Sequence, residues 1–224
     1  RLPEKLIRGR STGEKIREAT VYEVNGRVVS LSNSEGYYSL KIPNNRDVYG
    51  LSYSKSGYLD TVIMVEPAYK ENLDIYLNPD NNPLSKLESK SEYIKLENIH
   101  ERQVIDILVP SESKIISDNL IIHQNKTVQV SLIPYLGTNR KLSGSVNNSL
   151  SFNILAGYSG GLNGFEIGGL LNIVRRNAYG TQISGAANIV GGNSGPFQLA
   201  GCFNLNGGSV TGTQMAGFSN VVLD

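Results

Sequence analysis

The fold of this chain is decided by an eight-residue motif that occurs four times in its C-terminal part. The four copies read FEIGGLLN (Phe165–Asn172), TQISGAAN (Thr181–Asn188), FQLAGCFN (Phe197–Asn204) and TQMAGFSN (Thr213–Asn220). Their closing asparagines follow one another at a constant step of 16 residues. A fixed period indicates one structural unit that is repeated and packed against its own copies.

Two architectures can use such a unit. Parallel stacking would give a β-solenoid, with asparagine on asparagine and glycine on glycine. Folding back and forth would give an antiparallel sheet, and the motif is nearly palindromic about its central glycine. Pairing Gly185 with Gly201 puts Gln182 opposite Asn204 and places the turn at Asn193, within a glycine-rich stretch that suits a tight hairpin. Strand pairing alone leaves both architectures open.

The composition of the two strand faces favours one of them. Side chains alternate between faces along a strand. Through the second and third copies one face is apolar, and the other is small, amide-bearing and uncharged. The outer face of a solenoid in water usually carries charged residues, whereas a transmembrane barrel has lipid outside and polar groups inside. We therefore predict an antiparallel transmembrane β-barrel over residues 127–224, with the β-solenoid as the alternative.

The motif residues are predicted to be structural. The glycines mark the centre of each strand, and the amides are expected to form a hydrogen-bond ladder in the lumen. These predicted repeat residues are Gly169, Asn172, Gln182, Gly185, Asn188, Gln198, Gly201, Asn204, Gln214, Gly217 and Asn220.

Glu166 takes the place of the glutamine in the first copy, and it is the candidate lumenal charge. An unpaired carboxylate is costly to bury. Glu166 is therefore predicted either to contact an arginine such as Arg140 or to act in gating an ion pathway. Arg175 and Arg176, at a predicted strand end, are expected to contact lipid headgroups or solvent.

Charge divides the chain into two regions. Of 41 charged side chains, 35 precede Thr127, whereas 18 of the 24 glycines follow it. The near-balanced overall charge argues against a nucleic-acid partner. No run of about 18 apolar residues exists, which excludes a transmembrane helix. We predict three segments: a β-domain at residues 1–80, a polar connector at 81–126 and the repeat at 127–224.

The first segment has the short strands and turn signals of a β-sandwich. Ala19–Val24 is a β-prone run, and Asn25-Gly26 after it is a hairpin signal. Within the connector, Val104–Val109 is predicted to be a further strand.

Residues 5–79 resemble the carboxypeptidase-regulatory-like domain. The resemblance is carried by STGEKIREATV (Ser11–Val21), SNSEGYYSL (Ser32–Leu40), Tyr53 and SGY (Ser56–Tyr58). It implies a non-catalytic, prealbumin-like sandwich of seven strands. Such domains often form N-terminal extensions of outer-membrane proteins, including TonB-dependent receptors.

Residues 128–224 resemble the surface-repeat family of bacterial outer-membrane proteins. The resemblance is carried by VSLIPYLGTN (Val130–Asn139), SFNILAGY (Ser151–Tyr158) and the Gly-x-Gln-x-x-Gly-x-x-Asn units. About six strands are expected here, fewer than the eight of the smallest closed single-chain barrels. The predicted barrel is therefore incomplete unless further strands or another subunit close it.

Motifs of enzymes are missing from the sequence. There is no G-x-S-x-G, P-loop, Cys-x-x-Cys or His-Glu-x-x-His. His100 and His123 have no neighbouring ligands in the sequence, so neither a metal nor another cofactor is predicted. No catalytic residue is expected.

Together these observations predict a non-enzymatic outer-membrane protein of a Gram-negative envelope. Its N-terminal domain is expected in the periplasm, and its role is that of an accessory or scaffold subunit in a complex that assembles or exports proteins. The predicted partners are membrane lipid and other outer-membrane or periplasmic proteins in a hetero-complex. The alternatives are a surface-exposed solenoid adhesin or binding protein, and a pore or transport protein.

Overall fold

The computed structural model describes residues 5–24, 28–43, 45–66, 74–81, 103–120 and 124–223. These residues are predominantly in strands, which confirms the predicted all-β class. The chain divides into two units, one of residues 1–86 with 118–121 and one of residues 87–117 with 122–224. Residues 82–102 and 121–123, which make up about half of the predicted connector, lie outside the described residues.

The first unit contains two small sheets. Its seven described strands are β1 (Lys5–Gly9), β2 (Thr20–Glu23), β3 (Val29–Leu31), β4 (Tyr37–Tyr38), β5 (Tyr49–Ser54), β6 (Thr61–Val65) and β7 (Ile75–Leu77). One sheet has the order β3-β2-β5-β6 and is antiparallel. The other has the order β4-β1-β7, in which β1 pairs antiparallel with β4 and parallel with β7.

Both sheets of the first unit contribute to a single hydrophobic cluster. It includes Ile7 and Leu77 from one sheet and Val21, Leu51 and Tyr53 from the other, all fully buried. Removing such side chains from water is the main favourable contribution to the stability of a small domain. The predicted hairpin turn at Asn25-Gly26 lies outside the described residues, although β2 and β3 on either side of it do pair antiparallel.

The second unit is built from two further sheets. Sheet A, in the order β18-β16-β14-β12-β10-β8-β9, consists of β8 (Gln124–Ile133), β9 (Leu136–Gly137), β10 (Val146–Asn153), β12 (Gly161–Gly168), β14 (Ala178–Ser184), β16 (Ser194–Ala200) and β18 (Thr213–Ala216). Sheet B, in the order β11-β13-β15-β17-β19, consists of β11 (Ala156–Ser159), β13 (Leu171–Val174), β15 (Ala187–Val190), β17 (Phe203–Asn206) and β19 (Ser219–Val222).

The chain alternates between the two sheets in a regular way. Each rung consists of one strand of sheet A, a two-residue turn and one short strand of sheet B, after which the chain returns to sheet A. Successive rungs pair in parallel: Gln182 pairs with Gln198 in sheet A, and Asn188 with Asn204 in sheet B. This region is therefore β-solenoid-like, the alternative architecture that the sequence allowed.

The antiparallel hairpins predicted for the repeat are wrong, and the barrel they would build is not the observed arrangement. The prediction treated each eight-residue motif as one straight strand through its central glycine. In the structure that glycine begins the turn between the sheets, as at Gly185, which follows β14 and precedes β15. Gln182 and Asn188 therefore point into the same interior from opposite sheets instead of lying on one face of a single strand.

Two short helices precede the solenoid, α1 (Gln103–Leu108) and α2 (Ser111–Asn119). The strand predicted at Val104–Val109 is thus wrong. Ile105, Leu108 and Val109 recur at a helical spacing, and the three pack on Tyr158, Ile173 and Ile189 of sheet B. Helix α1 consequently covers the outward side of sheet B over several rungs.

Candidate functional site

A ladder of asparagines runs through the interior of the solenoid. It passes from Asn153 through Asn172, Asn188 and Asn204 to Asn220, and each Nδ2 donates to the next Oδ1 over 2.8–2.9 Å. In the middle three members the same Nδ2 also donates to a carbonyl of sheet A, as from Asn188 to Leu199. The ladder therefore joins successive rungs to one another and sheet B to sheet A.

A second ladder uses the glutamines of sheet A and has the opposite polarity. Gln214 donates to Gln198 (2.6 Å), Gln198 to Gln182 (2.8 Å) and Gln182 to Glu166 (2.8 Å), so each amide donates to the preceding rung. Gln182 and Gln198 are fully buried. Since an amide both donates and accepts, a column of identical amides in parallel register satisfies its own hydrogen-bonding groups.

The glycines at the turns are required because successive backbones approach closely. A Cβ on Gly185 would lie 2.0 Å from the carbonyl oxygen of Gly169, and one on Gly201 would lie 2.0 Å from that of Gly185. A Cβ added to Gly169 or Gly217 would likewise lie 2.0 or 2.2 Å from a carbonyl oxygen of the preceding rung. Steric contact with the neighbouring rung therefore excludes any side chain in this column.

Glu166 lies between the two ladders, with no solvent exposure. Its Oε2 accepts from Gln182, and its Oε1 accepts from Asn153 Nδ2 at 3.0 Å. None of the ion pairs among the described residues includes Glu166, and the predicted contact with Arg140 is not among them. Burial raises the pKa of Glu166, and its hydrogen bonds with Gln182, Asn153 and Ser151 oppose that effect only in part.

This carboxylate is expected to make stability depend on pH. Because the folded state holds the Glu166 proton more tightly than the unfolded state, the contribution of Glu166 to the free energy of unfolding should be most favourable below the ordinary pKa of 4.5. It should fall as the pH rises through the folded pKa, by at most about 1.4 kcal/mol per pH unit. Glu166→Gln should remove this part of the slope, as measured by urea denaturation at a series of pH values.

Glu112→Gln provides the control for that experiment, because Glu112 is partly exposed on α2 and pairs with Lys141 at 2.7 Å. This variant should keep the slope of the wild type. An identical slope in the wild type and Glu166→Gln would show that the buried carboxylate does not titrate differently in the two states.

Several interior residues lie outside the sequence pattern that predicted the ladders. Asn153 starts the asparagine ladder from the end of β10, where the Asn147–Gly157 stretch departs from the motif. Gln129, Asn139 and Asn148 form a buried amide cluster with bonds of 2.8–3.2 Å at the first rungs. Amides recurring on the inward side of β8 and β10 were the available signal, but they fall outside the 16-residue spacing.

Arg175 and Arg176 are not at a solvated turn. Both are buried, and Arg175 Nη1 donates to the carbonyl of Ser117 at 2.7 Å. Arg176 Nη2 donates to Asn147 Oδ1, also at 2.7 Å. The prediction of headgroup or solvent contact for these two side chains is therefore wrong.

The outward side of sheet A carries two columns of side chains in parallel register. We call these twelve residues the outer face. One column is Val128, Leu150, Phe165, Thr181, Phe197 and Thr213, and the other is Val130, Phe152, Ile167, Ile183, Leu199 and Met215. Ten of the twelve are apolar and none is charged. Representative exposures are 42% for Phe152, 40% for Ile167 and 52% for Met215.

The two sheets of the solenoid therefore differ in how their outward sides are covered. On sheet B, Tyr158, Ile173 and Ile189 are buried beneath α1. Among the described residues, no element covers the outer face of sheet A in this way. An exposed apolar surface of this extent is typical of interaction sites.

No protein-family model matches the chain, and no curated protein is significantly similar to it. The two family resemblances stay predictions. Over the described ranges, no cluster of three His, Cys, Asp or Glu side chains could hold a metal ion. His100 and His123 lie outside those ranges. None of the helices seen in the described part of the chain is long and apolar enough to cross a membrane.

Proposed function

We propose that this chain is a non-enzymatic binding scaffold of a bacterial envelope, in which the solenoid binds its partner through the outer face. The observation that carries the proposal is the uncharged, exposed and in-register outer face of sheet A. Sheet B has a similar apolar outward column that α1 buries. We infer that the outer face is likewise covered when the protein functions.

The interior supports a structural rather than a chemical role for the repeat. The amides of the two ladders are engaged with one another or with backbone carbonyls, and Glu166 accepts from ladder amides. Groups held in this way stiffen a structure because moving one of them leaves others unsatisfied. A stiff rod with one apolar side is suited to present a surface to a partner.

The envelope location and the hetero-complex rest on the two resemblances. In this proposal the first unit is the prealbumin-like sandwich of the carboxypeptidase-regulatory-like domain, located in the periplasm and presenting loops and edge strands to other proteins. The solenoid takes the place of the predicted barrel as the attachment to the outer membrane or to a complex within it. The role is that of an accessory subunit.

Cysteine labelling tests whether the outer face is the binding surface. In a Cys202→Ser background, Leu199→Cys places a thiol on the outer face, and Ile107→Cys places one on the exposed side of α1, where Ile107 is 83% exposed. In envelope fractions, we expect a water-soluble maleimide to label Leu199→Cys at least about tenfold more slowly than in the purified protein, since a desolvated contact excludes water. Ile107→Cys should label equally in both. Equal labelling of Leu199→Cys would refute the proposal.

A further inference from the structure

We propose that the occupant of the outer face is the acyl surface of a lipid bilayer, on which the solenoid lies without spanning it. This inference rests on the proposed function, which identifies the outer face as the binding surface. Three properties of the face favour lipid over protein: its chemistry, its size and the distribution of side chains around it.

The chemistry of the outer face offers very little to orient a protein partner. Its only side-chain hydrogen-bonding groups are the hydroxyls of Thr181 and Thr213, and the strand backbones pair with neighbouring strands. Protein interfaces have about one hydrogen bond per 100–200 Å² and a polar rim. Acyl chains require neither, because apolar area removed from water is sufficient for them.

The size of the face is small for a stable protein interface. The five intervals between six neighbouring strands, about 4.8 Å each, and an apolar band about five residues long at about 3.3 Å each give a flat footprint of about 400 Å². Stable protein–protein interfaces bury about 800 Å² on each partner. A dimer held through this narrow band alone would have a small contact, whereas a bilayer can receive the face together with the side chains that border it.

The side chains that border the outer face differ in polarity between the two ends of the strands. At one end Tyr179, 54% exposed, lies two residues before Thr181 on the same side of β14. At the other end, the turn residues Leu155, Leu170 and Phe218 are 45%, 51% and 78% exposed. Tyrosine prefers the headgroup level and purely apolar side chains prefer the acyl region. The turn end also has one tyrosine, Tyr135, which is 48% exposed between β8 and β9, but its apolar side chains outnumber it. The geometry therefore orients the turns toward the acyl chains and Tyr179 toward the headgroups.

Flotation of the full chain with vesicles tests this inference. We expect the wild type to float with neutral phosphatidylcholine vesicles and to do so equally at high salt, because the face carries no charge. Ile167→Glu combined with Leu199→Glu should reduce the bound fraction at least about tenfold, since a charge in an apolar contact is strongly unfavourable. Both positions are about 40% exposed, so the variant should fold. Ile107→Glu, the matched control on α1, should float like the wild type.

Fluorescence quenching by lipids labelled at different depths measures the orientation of the solenoid on the bilayer. Cys202 lies in the turn between β16 and β17, and its amide donates to the carbonyl of Ala186 in the preceding turn. A fluorophore on Cys202 should be quenched more by lipids brominated deep in the acyl chain. One on Tyr179→Cys, in a Cys202→Ser background, should be quenched more by headgroup-labelled lipids. The reverse order would overturn the proposed orientation.

The flotation and labelling results together distinguish the lipid inference from the proposed scaffold function. If the wild type does not float, or if the double glutamate variant floats as well, the lipid inference is wrong. Should the outer face nevertheless be protected from labelling in envelope fractions, the scaffold proposal stands and the occupant is a protein. If the face is unprotected there, the scaffold proposal itself is wrong.

Discussion

Gly185→Ala is expected to disrupt the solenoid. The added methyl carbon would lie 2.0 Å from the carbonyl oxygen of Gly169, which belongs to the backbone of the preceding rung and cannot rotate away as a side chain could. Relief requires the two rungs to separate, and this would lengthen the asparagine and glutamine ladder bonds on either side. We expect a loss of about 4 kcal/mol or more in the free energy of unfolding, at the upper end for a single substitution. Far-UV circular dichroism during denaturation would measure it.

The effect should belong to the glycine column and not to glycine in general. Gly50→Ala is the matched control, because the nearest atom to its added Cβ would be 3.5 Å away, an ordinary contact. Ala186→Val adds bulk at the next residue, where the side chain is partly exposed. Both controls should stay within about 1 kcal/mol of the wild type. Equal stability of Gly185→Ala and Gly50→Ala would show that the rungs are not stacked at the observed distance.

The sequence predicted the repeat well because its signal is local and periodic. Asparagines at a 16-residue step identified the unit, and alternation correctly separated amide-bearing from apolar side chains. The sequence did not show where the chain turns from sheet A to sheet B. Gly185 within TQISGAAN fits a strand centre as readily as a turn, because glycine tolerates both and flanking residues such as Ala186 are neutral. Because the glycine was assigned to a strand centre, neighbouring motifs were predicted to pair in antiparallel orientation.

The outer face misled the prediction for a physical reason. An uncharged apolar face indicates that the face contacts an apolar environment. It does not indicate whether neighbouring strands are parallel or antiparallel. Phe197 and Leu199 would lie outward in either architecture. The hydrogen bonds of the interior amides distinguish the two architectures. In parallel register Asn188 bonds to Asn172 and Asn204, so each amide has an identical partner. An antiparallel arrangement would instead have paired asparagine with glutamine.

Helix α1 and the buried arginines were not predicted because residues distant in the sequence determine their environment. Ile105 and Val109 are apolar residues in a short run, for which strand and helix are equally consistent with the sequence. The surface of Tyr158, Ile173 and Ile189 on sheet B decides in favour of the helix. Likewise the carbonyl of Ser117 that accepts from Arg175 is 58 residues away in the chain. Glu166, by contrast, is visible in the sequence itself as the charged residue at a position where the other three copies have glutamine.

Asn188→Leu is expected to destabilise the solenoid by about 4 kcal/mol, since leaving each buried polar group without a partner costs about 1–3 kcal/mol. Leucine has a similar size but none of the hydrogen bonds. It removes the donor to Asn204 Oδ1, the donor to the Leu199 carbonyl and the acceptor of Asn172 Nδ2. Denaturation followed by circular dichroism would again measure the change.

Asn220→Leu is the matched control for the asparagine ladder. Asn220 has the same motif position as Asn188 but is exposed, so water can replace the partner that its neighbour Asn204 loses. We expect a change of at most about 1 kcal/mol. A large loss at Asn188 with a small one at Asn220 would show that stability comes from burying the ladder and not from the motif residue as such. Equal losses would instead mean that the asparagines act through local turn geometry, and the ladder would then contribute little to holding the rungs together.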